Sequence, residues 1–380
     1  MIKWFDSKLM GNKIPVITNT QGDLVKMLNA ILVDGCNSQP VTSISYSDGI
    51  CTLTLQNGHG FLIDSVVDVV GSTQAGLQDK EFRVTSVSTT TISFKSDSVV
   101  DEQGLSVRYA PLGWTQHFAS EGRTCYQSSD PRYPAFLRVD DTKLEGTSAS
   151  AAKFATVEIC ANMTSFDNAD WQSPYNSSYP EQNRETISGR SNGWFKWYYA
   201  SPYSTSPDRG STTNPDGVRD YIIVGNKSSF WLISYPYADV TNNNLGAVLG
   251  VPLVDFGVQK FQTLVARSGF GIGSQIGYPH FTFAESDNNS SAPYLKNYGR
   301  VFATHLVSYT EHYLTDILLQ SPIYQGDSSG PVSGVFEGVG IVPFADNMKL
   351  SSHIVKHQSA RYKIVNIGQP YQLAFSLGDV

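Results

Sequence analysis

Ile50-Cys51-Thr52-Leu53-Thr54-Leu55-Gln56-Asn57-Gly58-His59-Gly60 decides the fold class. Ile50, Thr52, Thr54 and Gln56 fall on one face of an extended strand, and Cys51, Leu53 and Leu55 on the other. Asn57-Gly58-His59-Gly60 is a turn, because Asn and Gly accept the positive φ that tight hairpin turns demand. The same period-2 alternation recurs at Ser65–Gly71, Phe82–Val87 and Thr90–Phe94. Five or six short strands at this spacing predict a small β-barrel or sandwich over residues 41–110.

Upstream the period changes. Leu24, Met27, Leu28, Ile31 and Leu32 recur at the spacing of one helical face, which predicts an amphipathic helix of about three turns. Thr20 is the expected cap, and Asp34-Gly35 the stop. Downstream, Ala135–Val139, Thr156–Cys160, Tyr221–Val224 and Phe230–Ile233 read as strands, while 173–192, 201–217 and 286–291 read as long polar loops. The expected organisation is an N-terminal arm and helix (1–40), the barrel module (41–110), and a larger, aromatic-rich, β-sandwich-like domain (111–380). The fold class is mainly β with one short N-terminal helix.

Composition agrees. Of 380 residues only 16% are charged and 12% are aromatic, which argues against disorder or a coiled coil. The net charge of −7 argues against a general polyanion binder, so no nucleic-acid partner is expected. No apolar run is long enough to span a bilayer and no secretory leader is legible, so synthesis in a cytoplasm without membrane insertion is expected. Cys36, Cys51, Cys125 and Cys160 are too scattered for a zinc ribbon or a disulfide framework and read as buried free thiols.

Gln325-Gly326-Asp327-Ser328-Ser329-Gly330-Pro331-Val332 resembles the nucleophile loop of chymotrypsin-like serine proteases, with Ser328 as nucleophile. The general base such a serine needs is missing: His59, His117 and His280 stand in the wrong contexts, and His305 lies too close in the chain. No catalytic residue is therefore assigned. His353 and His357 have the spacing of one helical face, but no third metal ligand accompanies them. Asp140-Asp141 reads as a strand end opening a turn rather than a calcium loop. No metal and no cofactor are expected.

Two segments are candidate contact sites. Trp4, Phe5, Leu9 and Met10 form an apolar run ahead of the helix that, if exposed, would anchor an interface; the alternative is that Trp4 and Phe5 close the chain's own core. Gly193–Tyr199 is the densest aromatic run; extended, it places Trp194 and Tyr198 on one face and Trp197 and Tyr199 on the other. That run offers a ligand or partner contact, unless the strand is buried on both sides.

Lys3–Ser7 with Met10-Gly11, the helix Leu24–Val33, Gly58–Phe61, Ala110–Trp114, Tyr126–Asp130, Leu137–Asp141 and Tyr221–Leu232 together resemble a family of tailed-bacteriophage virion structural proteins. The resemblance covers roughly the first 235 residues. It implies a part of the tail or head–tail region that acts through protein–protein assembly, located in the virion. Its partners would be other virion proteins and copies of itself, and no catalytic residues carry over. The alternatives are a receptor- or carbohydrate-binding tail fibre component that meets a host surface glycan, and a head decoration or head–tail connector protein.

Overall fold

The structure is a computed structural model. It describes residues 1–142, 153–173, 216–236 and 247–255, and beyond these the strand segments named below. The fold is mainly β, built from antiparallel sheets.

The chain opens with strand β1 (Lys3–Asp6) and one helical turn, α1 (Ser7–Met10). Helix α2 (Asp23–Leu28) follows and continues as a π-helical turn over Asn29–Asp34. Leu24, Met27, Leu28, Ile31 and Leu32 are fully buried, the face read from their spacing.

The barrel module comprises β2 (Cys36–Pro40), β3 (Ser43–Ser47), β4 (Ile50–Thr54), β5 (Val66–Val70), β6 (Glu81–Val87), β7 (Thr91–Lys95) and β8 (Ser106–Tyr109). They pair in the order β2-β8-β5-β6-β7-β4-β3. The two end strands are separated in the chain by Val41 and Thr42 alone. The Val41 amide donates to Leu105 O and the Thr42 amide to Thr54 O, one on each side of the seam, so the sheet curls until its ends meet. Alternation fills the interior with Cys51, Leu53, Ile92, Phe94, Val107 and Tyr109, and the Phe82 and Phe94 rings stack at 4.4 Å. The first barrel strand starts at Cys36, ahead of the expected boundary at 41. Cys36-Asn37-Ser38-Gln39-Pro40 has no apolar alternation to announce it.

The next sheet contains β9 (Thr115–Ser120), β10 (Arg123–Gln127), β11 (Phe136–Asp140), β12 (Lys153–Ser165) and β13 (Asn168–Ser173). A small hairpin follows, β14 (Thr186–Ile187) and β15 (Arg190–Ser191). Then β16 (Phe195–Ala200) pairs with β12. Strands β17 (Asp220–Gly225), β18 (Phe230–Tyr235) and β19 (Ala247–Val251) form a sheet whose outer strand is β1, giving the order β1-β17-β18-β19.

A seven-stranded sheet holds β20 (Leu253–Asp255), β21 (Lys260–Gln262), β22 (Arg267–Gly269), β23 (His280–Thr282), β24 (Arg300–Phe302), β25 (Ile323–Gln325) and β26 (Val332–Phe336). The last sheet has β27 (Val339–Pro343), β28 (His353–His357), β29 (Ala360–Gly368) and β30 (Tyr371–Asp379) in the order β27-β30-β29-β28. One continuous apolar core runs from Trp4 through α2 and the barrel to Phe375 and Leu377. The expected loops at 173–192, 201–217 and 286–291 lie largely outside the described residues.

Candidate functional site

Trp4, Phe5 and Met10 are buried, and of the four expected interface residues only Leu9 is exposed. The expectation of an exposed apolar patch is corrected: β1 is an inserted strand, and pleating sends its side chains to two sides. Lys3 and Phe5 face the barrel. The Lys3 ammonium donates to Glu81 and to Pro111 O, and Phe5 meets the Tyr109 ring edge-on at 6.4 Å. Trp4 and Asp6 face the C-terminal sheet. Lys363 Nζ sits 4.3 Å from the Trp4 ring centre and donates to Asp6 Oδ2 at 2.9 Å.

The other Asp6 oxygen accepts from Lys8 N and Leu9 N and so caps α1. Trp4 Nε1 donates to Asp64 O. Arg83 ties the same corner together, donating to Asp64 O, Ile2 O and Leu377 O, while Arg361 pairs with Asp64 at 3.2 Å. Burial pulls Lys3 and Lys363 below the usual lysine range, and Glu81 and Asp6 respectively pull them back.

The seat of α2 follows the same plan. Its N-cap is Gly22, at φ 93°, which has no side chain to cap with, so the expected Thr20 cap is corrected. Asp141 does the capping from 117 residues away. Its Oδ2 accepts from Leu24 N at 3.0 Å and Val25 N at 3.4 Å, and its Oδ1 from Gln21 Nε2 at 2.7 Å and Tyr199 Oη at 2.8 Å. Burial pushes the Asp141 carboxyl up to about 7 against the pull of these donors. Asp140 ends β11 as expected and pairs with Arg123.

At the other end of the helix the amides of Leu112, Gly113 and Trp114 donate to Ile31 O and Leu32 O. Asn29 Oδ1 accepts from Tyr126 Oη and Gln116 Nε2 within the π-helical stretch.

The Gly58–Phe61 turn is a third fixed point. His59 Nδ1 accepts from the Phe61 amide at 3.1 Å, so Nε2 carries the proton it gives to Ser88 O at 3.0 Å. The imidazole is thereby a staple, stacked on Phe61, whose ring meets Tyr109 at 4.9 Å. Gly60 is required here: at φ 77° a Cβ would also lie 2.7 Å from the Lys13 side chain.

Among the described residues the remaining candidates are not brought together into reacting pairs. All four cysteines are free and buried, as expected, and burial pushes Cys36 and Cys125 up to about 12 and Cys51 to about 11, which suppresses the thiolate. Arg138 and Glu158 stand opposite each other on β11 and β12 and form a fully buried ion pair. Trp197, Tyr198 and Tyr199 are buried rather than presented to a ligand, and Trp194 lies outside the described residues. Ser328 and His305 also lie outside them. The strands flanking Ser328 pair Gln325 with Val332. His280 stands opposite Phe302, itself opposite Ile323, two strands and two residues from Gln325, on the order of 12 Å by strand spacing and rise. His353 and His357 are in a strand, not a helix, and stand about 13 Å apart along β28 rather than one helical turn apart.

Among the described residues no group of three or more His, Cys, Asp or Glu is placed to hold a metal, and no helix is long and apolar enough to cross a membrane. No family model, curated protein or solved structure matches the chain.

The residues that matter most in these seats, Glu81, Arg83, Asp141 and Lys363, were not singled out by sequence reading as partners. The only available signal was a charge placed among apolar neighbours, as in Tyr362-Lys363-Ile364-Val365.

Proposed function

We propose that the chain is a structural component of a tailed-bacteriophage particle, tail or tail-associated, that acts through protein–protein assembly and performs no catalysis. One observation carries this reading. The segments on which the resemblance rests are the segments that make the seats. Lys3–Ser7 is β1 and its cap; Leu24–Val33 is the central helix; Gly58–Phe61 is the histidine-stapled turn. Ala110–Trp114 receives Lys3 and caps the helix, and Leu137–Asp141 supplies the capping carboxylate. Within Tyr126–Asp130, Tyr126 holds Asn29, while Ser128 and Asp130 hold the Lys227–Ser228 turn of Tyr221–Leu232.

A motif set spent wholly on internal junctions preserves a shape rather than a reaction, and shape is what a repeated building block must preserve. The glycan reading rested on the aromatic run, and of its four candidate contact residues Trp197, Tyr198 and Tyr199 are enclosed in the core. The test is to tag the chain and locate it in intact particles by reconstruction. Stoichiometric density in the tail region supports the proposal; purified infectious particles that lack the chain overturn it.

A further inference from the structure

We propose that residues 1–10 are an exchangeable arm: the groove that seats β1 in one molecule takes β1 of a second copy of this chain. The inference rests on the geometry of β1 alone and holds whether or not the chain is a virion part.

Among the described residues β1 pairs with β17 and with no other strand, through four residues in antiparallel register. Its remaining partners are remote in the chain: Glu81, Asp64, Pro111 and Lys363. The groove therefore belongs to the folded body, and the strand sits in it as a ligand would, its main chain on a sheet edge and its side chains in matched pockets. Those pockets need an occupant. Without Asp6 the fully buried Lys363 ammonium would lose its carboxylate, and without Trp4 and Phe5 the core would lose two large side chains.

The arm also has a swivel. Gly11 has φ 56° and ψ −134°, and a Cβ there would meet nothing within 4 Å. Gly11 and Asn12 are exposed and lie in a single 3-10 turn, Gly11–Lys13, closed by Ile14 N donating to Gly11 O at 3.5 Å. Beyond them the chain is held again, by Lys13 Nζ to Gly58 O, by Tyr221 Oη to Pro15 O and by the Ile17–Arg219 bridge. Before them, among the described residues, the Ser7 and Lys8 side chains reach outside the arm to β17, at Tyr221 N and Asp220, while Lys8 N stays on Asp6, so α1 travels with β1. The contacts made in cis and in trans are the same, so local concentration chooses between them. A dilute chain closes on itself, and closely packed copies exchange arms.

Charge reversal tests this directly. Asp6→Lys sets two ammonium groups face to face, and Lys363→Asp sets two carboxylates face to face, so neither chain can seat its own arm. Each carries the arm the other's groove accepts. Co-expressed with different tags, the two full-length variants should copurify as a 1:1 complex, while each alone does not form that pair. The chain carrying both changes, Asp6→Lys with Lys363→Asp, should fold as a single closed molecule. If the double variant folds and the co-expressed pair does not associate, the proposal is overturned.

Should the reversed pair fail within one chain, the chain lacking residues 1–10 is refolded with a synthetic peptide of residues 1–10. Recovery of a cooperative melt with 1:1 peptide binding supports exchange, and no recovery or no binding overturns it.

Discussion

The barrel module and the seat of the N-terminal strand and helix are built on opposite principles. In the barrel most inward contacts lie within 36–109: Leu53 meets Ile92 across β4 and β7, Phe82 stacks on Phe94, and the seam is closed by consecutive residues. In the seat almost nothing is local. Lys3 is held by Glu81, Asp6 by Lys363, and the start of α2 by Asp141. A unit whose contacts are near in sequence can form before the rest of the chain, whereas one held by remote partners forms only when they have arrived. The two regions should therefore respond differently to damage.

The largest expected effect is in the seat. Asp6→Ala strips the carboxylate from a buried ammonium, and breaking a buried pair from one side costs about 3–5 kcal/mol. Urea melts should show that loss while the barrel keeps its strand signal. Leu53→Ala in the barrel should cost about 2–5 kcal/mol through the cavity it leaves, and should lower the barrel and the seat together, because the seat stands on Glu81, Asp64 and Tyr109. If instead Asp6→Ala melts the barrel as readily as Leu53→Ala does, the contrast fails.

Smaller effects sharpen the picture. His59→Ala leaves the Phe61 amide and Ser88 O without their partner and should cost about 1–3 kcal/mol, read as a lower midpoint in the same melts. Asp141→Asn should be mild at pH 8, within about 1 kcal/mol as for an altered cap, and its signature is pH dependence. The Asp141 carboxyl is raised from 3.8 to about 7, so folding takes up a proton between those values. The stability this contributes is full below about pH 4 and lost as the pH rises through about 7. The wild type should gain on the Asn variant as pH falls from 7 to 4. A constant difference over that range would show that the carboxyl does not titrate there.

Much of the barrel could be read from the sequence. Cys51 and Leu53, and Ile92 and Phe94, alternate strictly with their neighbours, and period 2 needs no knowledge of a partner. The helix was legible for the same reason, from Leu24 to Leu32. What could not be read was who meets whom. Nothing near Asp141 says that it caps a helix beginning at Asp23, and nothing near Trp4 says that Lys363 covers it. The mistaken expectations follow from this. Trp4 and Phe5 read as part of an exposed apolar run because their cover comes from Asp64, Tyr109 and the C-terminal sheet. His353 and His357, whose spacing of four would also fit one helical face, lie in β28, which is extended by its pairing with β29. Cys36–Pro40 was missed because a polar strand at a barrel seam shows no alternation.

Native-state hydrogen exchange on the wild type and on Asp6→Ala compares the two regions amide by amide. The account predicts that Leu24 and Val25 at the start of α2, and Ile222 and Val224 opposite β1, exchange faster in the variant, while Leu53 and Phe94 in the barrel keep their wild-type protection. Equal acceleration at all six amides would contradict it, because barrel and seat would then be one cooperative unit.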